Sequence, residues 1–104
     1  MAKENNQELT GVSTETRKQT KLPPLYRVIM HNDDYTTMEF VVEMLQQVFR
    51  RSATEANMIM LNIHYKGQGV CGTYPFEVAE TKVSKVHERA REAGFPLRCS
   101  MEKD

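Results

Sequence analysis

The pair Pro23-Pro24 is the sequence feature that most limits what this chain can fold into, because the composition changes abruptly there. The residues before the pair are polar and charged and carry few apolar side chains. Such a segment buries too little apolar surface to offset the entropy lost on ordering it. We therefore predict a disordered N-terminal extension over residues 1–22 and a single folded domain over residues 23–104.

The size and charge of the chain exclude several classes of protein. With 104 residues, 39% of them hydrophobic and none of them Trp, the chain can build one core and hardly two. Lys+Arg and Asp+Glu both number 14, so the strong field that steers proteins onto nucleic acid is missing. Neither a secretory signal nor an apolar run of membrane-spanning length is present. We expect a cytoplasmic protein that binds neither nucleic acid nor membrane.

Two capping-box patterns predict where the first two helices begin. In each pattern a Ser or Thr hydroxyl and a Glu carboxylate three residues later can satisfy each other's backbone donors. The pairs are Thr36 with Glu39 and Ser52 with Glu55. The first helix is therefore expected from Thr37, and the second is expected to end at Gly67.

The rest of the chain predicts one more helix and three strands. The third helix is expected to have Pro75 at its first position and to stop at Gly94. Apolar and β-branched segments predict strands over residues 25–30, 69–74 and 97–101. The order β-α-α-β-α-β predicts an α+β fold, in which a small three-stranded antiparallel sheet has three helices packed on one face.

Three consecutive polar residues, Asn32, Asp33 and Asp34, precede the first predicted helix. Asn and Asp favour turns, and acidic side chains are stabilised near the N-terminus of a helix, so the run fits a local turn. It also fits a ligand site, because adaptable methionines such as Met38 and Met60 lie nearby in the sequence and suit variable apolar ligands. Both interpretations stay open on spacing alone.

The residues that could support an enzyme lack the usual motifs. His64 lies four residues after Met60, where it fits a structural residue as well as a hydrogen-bond acceptor. Cys71 and Cys99 are expected to be small buried residues and not a disulfide or a nucleophile. No metal-ligand spacing or phosphate-binding motif occurs, so we predict no metal, no cofactor and no enzymatic activity.

Two rival hypotheses remain. One is a small metal- or nucleotide-binding regulatory enzyme that uses Asp33, Asp34 and His64. The other is association with the ribosome, which the balanced charge disfavours.

Several separate motifs resemble, in order, the ClpS family of proteolytic adaptors over residues 23–104. These motifs are Pro23-Pro24-Leu25-Tyr26, the run Asn32-Asp33-Asp34-Tyr35-Thr36 with Met38-Glu39-Phe40, Met60 with His64-Tyr65, and Glu77-Val78-Ala79-Glu80-Thr81-Lys82. The resemblance implies an adaptor that binds proteins whose first residue is Phe, Leu, Tyr or Trp. It implies that the adaptor delivers these N-degron proteins to the N-terminal domain of the ClpA unfoldase of the ClpAP protease, modulates its substrate choice and acts as a monomer.

The resemblance also implies a role for particular residues. Asn32, Asp33 and His64 are expected to bind the substrate's α-amino group, while unfoldase docking is expected from Glu77, Glu80 and Lys82. On pattern alone a solvated helix face is the favoured interpretation of the docking residues, because charged residues normally occupy the exposed side of a helix. The apolar pocket for the first side chain is expected from Met30, Thr36, Met38, Val41, Met60, Ile63 and Leu97. His31 replaces the apolar residue usual in the family, which predicts a titratable side chain beside the site.

Overall fold

The computed structural model describes residues 22–104, so the predicted N-terminal extension lies outside the described residues except for Leu22. The elements are strand β1 (Leu25–His31), helix α1 (Met38–Gln47), helix α2 (Ala53–Lys66), strand β2 (Gln68–Pro75), helix α3 (Phe76–Ala93) and strand β3 (Arg98–Lys103). The predicted order β-α-α-β-α-β is confirmed. Within residues 22–104, no helix has the length and apolarity needed to cross a membrane.

The sheet is antiparallel, as predicted, and β1 is its central strand in the order β2-β1-β3. Strand β1 pairs with β2 from Leu25, opposite Pro75, to His31, opposite Gln68, with a bulge between Val28 and Ile29. On the other side β1 pairs with β3 along its length. Because β1 has a neighbour on each side, its end is held firmly, and the turn that follows starts from a fixed point.

The helices cover one face of the sheet. Side chains alternate along a strand, and Val28 and Met30 are fully buried in the core with residues from all three helices. His31 belongs to the open face, where its Nε2 lies 2.6 Å from the Ser100 hydroxyl oxygen. Cys71 and Cys99 are buried free thiols, as predicted, and burial raises the pKa of Cys99 to about 12.

The start of α1 differs from the prediction by one residue. Thr37, and not Thr36, is the N-cap, because the Thr37 hydroxyl accepts a hydrogen bond from the Phe40 backbone N–H at 3.1 Å. The Thr36 hydroxyl instead donates to the Asp33 carboxylate. Two adjacent threonines offer the same cap chemistry, and the path of the preceding turn decides between them.

The second capping box is confirmed at Ser52 and Glu55, with both reciprocal hydrogen bonds formed. Helix α2 ends at Gly67, whose φ of 92° is left-handed and favours glycine. The prediction for α3 was wrong by one residue, since Pro75 is the residue before the helix and still belongs to β2. Pro75 can close the strand because it lies at the end of the ladder with β1.

Lys82 fastens α3 to the end of α1. Its ammonium donates a 2.7 Å hydrogen bond to the Val48 carbonyl, one of the carbonyls that the end of a helix leaves without an internal partner. The same ammonium lies 5.0 Å from the ring centroid of Tyr74 and 5.9 Å from that of Phe49. These contacts give Lys82 a structural role that the sequence did not predict.

We expect the substitution Lys82→Met to lower the free energy of unfolding by about 1–2 kcal/mol, because the Val48 carbonyl loses a charged donor. Urea denaturation monitored by circular dichroism measures this difference. The matched control is Lys85→Met, an exposed lysine one turn further along α3, for which a change within about 0.5 kcal/mol is expected. Equal effects of the two substitutions would contradict the structural role of Lys82.

Candidate functional site

A cavity of about 250 Å³ opens where the turn after β1 meets α1 and α2. The turn contributes polar side chains, and His64 adds an imidazole from α2. The helices contribute mainly apolar side chains. The lining residues are Asn32, Asp33, Asp34 and Thr36 from the turn, Met38 and Val41 from α1, and Met60, Ile63 and His64 from α2.

The carboxylate of Asp33 shapes the turn. One of its oxygens accepts the backbone N–H groups of Tyr35 at 2.8 Å and Thr36 at 2.7 Å. The other oxygen accepts the Thr36 hydroxyl at 2.7 Å. All three of these hydrogen bonds go to Asp33, whereas Asp34 is exposed on the cavity wall.

Asp33 also keeps its negative charge at neutral pH. Burial by itself raises the pKa of Asp33, but the hydrogen bonds from Thr36 and Tyr35 favour the ionised form and outweigh it, so the pKa lies below its ordinary value. A carboxylate has about four lone-pair positions, and the turn uses three of them. Asp33 can therefore hold the turn and still attract a cation.

A backbone hydrogen bond joins the turn to α2. The Asn32 N–H donates to the Gly67 carbonyl at 2.9 Å, at the point where α2 ends. The next glycine, Gly69, lets α2 approach β2 closely, because a Cβ there would lie only 2.9 Å from Cγ1 of Ile63. Ile63 lines the cavity, so these contacts place both the polar and the apolar parts of the wall.

His64 and His31 have different surroundings. His64 is exposed and lines the cavity, and its ring packs edge-on against Tyr65 with centroids 4.9 Å apart. His31, which the sequence placed beside the site, contacts Ser100 on the open face of the sheet and does not line the cavity. Burial and the nearby Arg98 lower the pKa of His31, which favours its neutral form near pH 7.

Most of the residues predicted to bind the α-amino group or to form the apolar pocket lie on this one cavity. Met30 and Leu97 do not: both belong to the buried core. Because Met30 precedes the turn and Leu97 precedes β3, the sequence alone did not show on which side of the helices their side chains would pack. The residues that the structure brings together are Asn32, Asp33 and His64 for the polar half, and Thr36, Met38, Val41, Met60 and Ile63 for the apolar half.

The predicted docking residues lie elsewhere. Glu77 and Lys82 line a separate cleft between the end of α1 and the first half of α3, whereas Glu80 is exposed on α3 and does not line it. Arg50 and Lys85 line the same cleft, and no pattern in the sequence indicated Arg50. No residue lines both this cleft and the cavity.

The chemistry of the cavity suits a small ligand that carries a cation beside an apolar group. Oxygen and imidazole acceptors occupy one part of its wall, and no Lys or Arg lines it. An apolar cavity of about 150 Å³ is large enough to bind benzene, so an aromatic side chain fits here. Within residues 22–104, no group of three or more His, Cys, Asp or Glu side chains is arranged to hold a metal ion. Fold and cavity together define a small binding domain.

Comparison with known proteins gives one consistent result. The family described as ATP-dependent Clp protease adaptor protein ClpS matches residues 21–100. An ATP-dependent Clp protease adapter protein ClpS from Desulforapulum autotrophicum is 59% identical over 92 residues, which cover 88% of each chain. One from Nitratidesulfovibrio vulgaris strain DP4 is 62% identical over 82 residues, covering 79% of each.

A solved structure agrees with the sequence relatives. The chain of Agrobacterium tumefaciens ClpS2 bound to L-phenylalaninamide is 38% identical and matches with a TM-score of 0.77, over 80% of the present chain and all of the other. The present chain therefore belongs to the ClpS family of adaptors of the ATP-dependent Clp protease. It is an adaptor and not an enzyme.

We expect Asp33→Ala to lower the free energy of unfolding by about 2 kcal/mol at pH 7, because the turn loses its charged acceptor. Since the pKa of Asp33 in the folded protein lies below its ordinary value of 3.8, this stabilisation is present above pH 3.8. It is lost as the pH falls through the lower folded-state value.

Denaturation of both proteins between pH 2.5 and pH 7, at intervals of about half a unit, measures this effect. The control is Asp34→Ala, which should change stability by less than about 0.5 kcal/mol. A stability difference between wild type and Asp33→Ala that stays constant down to the lowest pH would show that the charge of Asp33 plays no part.

Proposed function

We propose that the cavity binds the first residue of substrate proteins, with preference for Phe, Leu, Tyr and Trp. The α-ammonium group is bound by Asn32, Asp33 and His64, and the side chain enters the apolar part of the cavity. The observation that carries this proposal is the meeting of acceptors and apolar side chains on one cavity wall. The phenylalaninamide bound to the A. tumefaciens relative has this chemistry: a free α-ammonium next to a benzyl group.

The energetics require both halves of the ligand. Burying a Leu or aromatic side chain contributes roughly 1.5–3 kcal/mol, and each hydrogen bond to a charged group contributes about 1.5–3 kcal/mol. Association costs several kcal/mol in lost translational and rotational freedom. Neither half alone exceeds that cost by much, so an internal Phe, or an amine without a large apolar side chain, binds weakly.

The adaptor delivers its substrates to the ClpA unfoldase of the ClpAP protease and so modulates the choice of substrates. Docking onto the N-terminal domain of ClpA uses α3, with Glu77 and Glu80 exposed for contact. Lys82 contributes chiefly by holding α3 against the end of α1, as its bond to Val48 indicates. The adaptor acts as a monomer in the cytoplasm, and residues 1–22 serve as the extension that the unfoldase engages.

A peptide that begins with Phe should lose at least about 100-fold in affinity when its α-amino group is acetylated. Acetylation removes the charge and two of the three donors, which corresponds to about 3 kcal/mol. Fluorescence-anisotropy titration of both peptides measures the change. A peptide with an internal Phe and a first residue of Ser serves as the control for the side chain, and equal affinity of the free and acetylated peptides would refute the proposal.

A substitution in the cleft that Glu77 lines should impair delivery without impairing peptide binding, because this cleft and the cavity share no lining residue. We expect Glu77→Arg to lower the rate at which ClpAP degrades a Phe-initiated reporter by fivefold or more, on the order of 1 kcal/mol of lost docking. Peptide affinity should stay within about twofold.

The matched control for docking is Glu88→Arg, since Glu88 is an exposed glutamate on the same helix. Degradation rates with purified ClpAP and titration of the Phe-initiated peptide give the two readouts. Normal delivery by Glu77→Arg, or equal losses for the two variants, would contradict docking through the first turns of α3.

A further inference from the structure

One part of the cavity wall is held in place by a residue that does not line the cavity. Ile63 lines it, and because Ile63 is only 2% exposed, the rest of its side chain packs in the core. On the side of β2 its neighbour is Gly69, which pairs with Met30 of the central strand. The Ile63 side chain therefore lies between this strand and the space that we propose for the first residue of the substrate.

Glycine at position 69 is required by space and not by backbone conformation. Among the glycines of residues 22–104, positive φ angles occur at Gly67 and Gly94, where the chain leaves a helix. A Cβ at position 69, in contrast, would lie 2.9 Å from Cγ1 of Ile63. Carbon atoms that are not bonded to each other pack best at about 3.5–4.0 Å, so a larger residue at position 69 displaces the Ile63 side chain.

The side chain moves in this case and the helix does not. The same Cβ would lie 3.5 Å from the Ile59 carbonyl oxygen and 3.6 Å from the Ile63 backbone nitrogen, which are ordinary contact distances. The backbone of α2 therefore has room for the extra methyl group. It is also joined to the end of β1 by the hydrogen bond from the Asn32 N–H to the Gly67 carbonyl. Because a protein core is close-packed, the displaced Ile63 side chain moves toward the cavity.

The stiffness of Ile63 makes this displacement matter for a ligand. Met38 and Met60 are unbranched and adapt to the shape of a ligand, whereas a β-branched Val or Ile on a helix is nearly restricted to one χ1 rotamer. Among the lining residues on the helices, the β-branched ones are Val41 and Ile63. Rotation of the Ile63 side chain therefore does not relieve the crowding, and its shift narrows the cavity.

We propose that Gly69 is a positioning residue that sets the largest first side chain the cavity accepts. By leaving room for Ile63 against β2, it keeps the cavity wide enough for Trp, and an alanine at the same position favours Leu over Trp. This inference rests on the proposed binding of the first residue in this cavity. It adds a residue from outside the cavity lining to those that determine which substrates bind.

Peptides that differ only in a first residue of Leu, Phe or Trp test the proposal. We expect Gly69→Ala to lower the affinity for the Trp peptide about tenfold more than the affinity for the Leu peptide, because one methylene in an apolar pocket changes selectivity by at least about tenfold. The Phe peptide should lie between them. Fluorescence-anisotropy titration measures the affinities. The Trp-to-Leu affinity ratio is the readout, since a loss of folded protein acts on both peptides alike.

Shortening Ile63 should reverse the effect. Added to Gly69→Ala, the substitution Ile63→Val removes the Cδ1 methyl group from the displaced side chain and should return the Trp-to-Leu ratio to within about twofold of wild type. In the otherwise unchanged chain, Ile63→Val should raise the ratio by roughly three- to fivefold, the effect of burying one more methylene. This second measurement needs no crowded variant, so it tests the proposal even if Gly69→Ala does not fold.

The matched control is Gly72→Ala, at a second glycine of β2 where a Cβ would meet a side chain. The neighbour there is the ring of Tyr74, which does not line the cavity. The control therefore crowds the same strand without displacing the cavity wall. It should leave the Trp-to-Leu ratio within about twofold of wild type.

Binding of phenylalaninamide to the wild-type chain separates failure of this inference from failure of the proposed function. If phenylalaninamide binds, the role of Gly69 is refuted by a Trp-to-Leu ratio that is the same in wild type and Gly69→Ala. An equal shift in Gly72→Ala, or no effect of Ile63→Val, overturns it as well, and in each case the proposed function stands. If phenylalaninamide does not bind, both fail.

Discussion

The site depends on one backbone hydrogen bond, from the Asn32 N–H to the Gly67 carbonyl. It joins the end of the central strand to the end of α2, two points 35 positions apart in the sequence by their residue numbers. Gly67 can present its carbonyl there because its left-handed φ of 92° ends the helix without steric cost. The bond continues the ladder in which His31 lies opposite Gln68, and so it holds the acceptors of the turn near the imidazole of His64, as the proposed binding of an ammonium group requires.

Asp33 shows how a structural residue and a binding residue can be the same side chain. Its carboxylate holds the turn by three hydrogen bonds, and those bonds also keep it ionised. The two roles support each other, because the donors that fix its position stabilise the charge that attracts a cation. A local turn and a ligand site were alternatives from the sequence, and in the structure Asp33 has the geometry for both.

The proposed substrate site and the proposed docking surface are formed by different parts of the fold. The cavity lies on α1 and α2 with the turn, whereas the cleft near Glu77 lies where α3 meets the end of α1. Lys82 connects the two regions mechanically, since it holds the last turn of α1 from α3. An adaptor needs this separation, because the substrate must stay bound while a second protein contacts the other surface.

The sequence by itself determined the features that depend on residues three or four apart: the Ser52-Glu55 capping box, the helix ends at Gly67 and Gly94, and the order of the elements. The motifs also indicated most residues of the cavity. Tertiary structure alone decided between Thr36 and Thr37 as cap, placed Met30 and Leu97 in the core, and gave Lys82 a partner 34 residues away. Local patterns report contacts within one turn or strand, but the wall of a cavity is made by elements that only the packed core brings together.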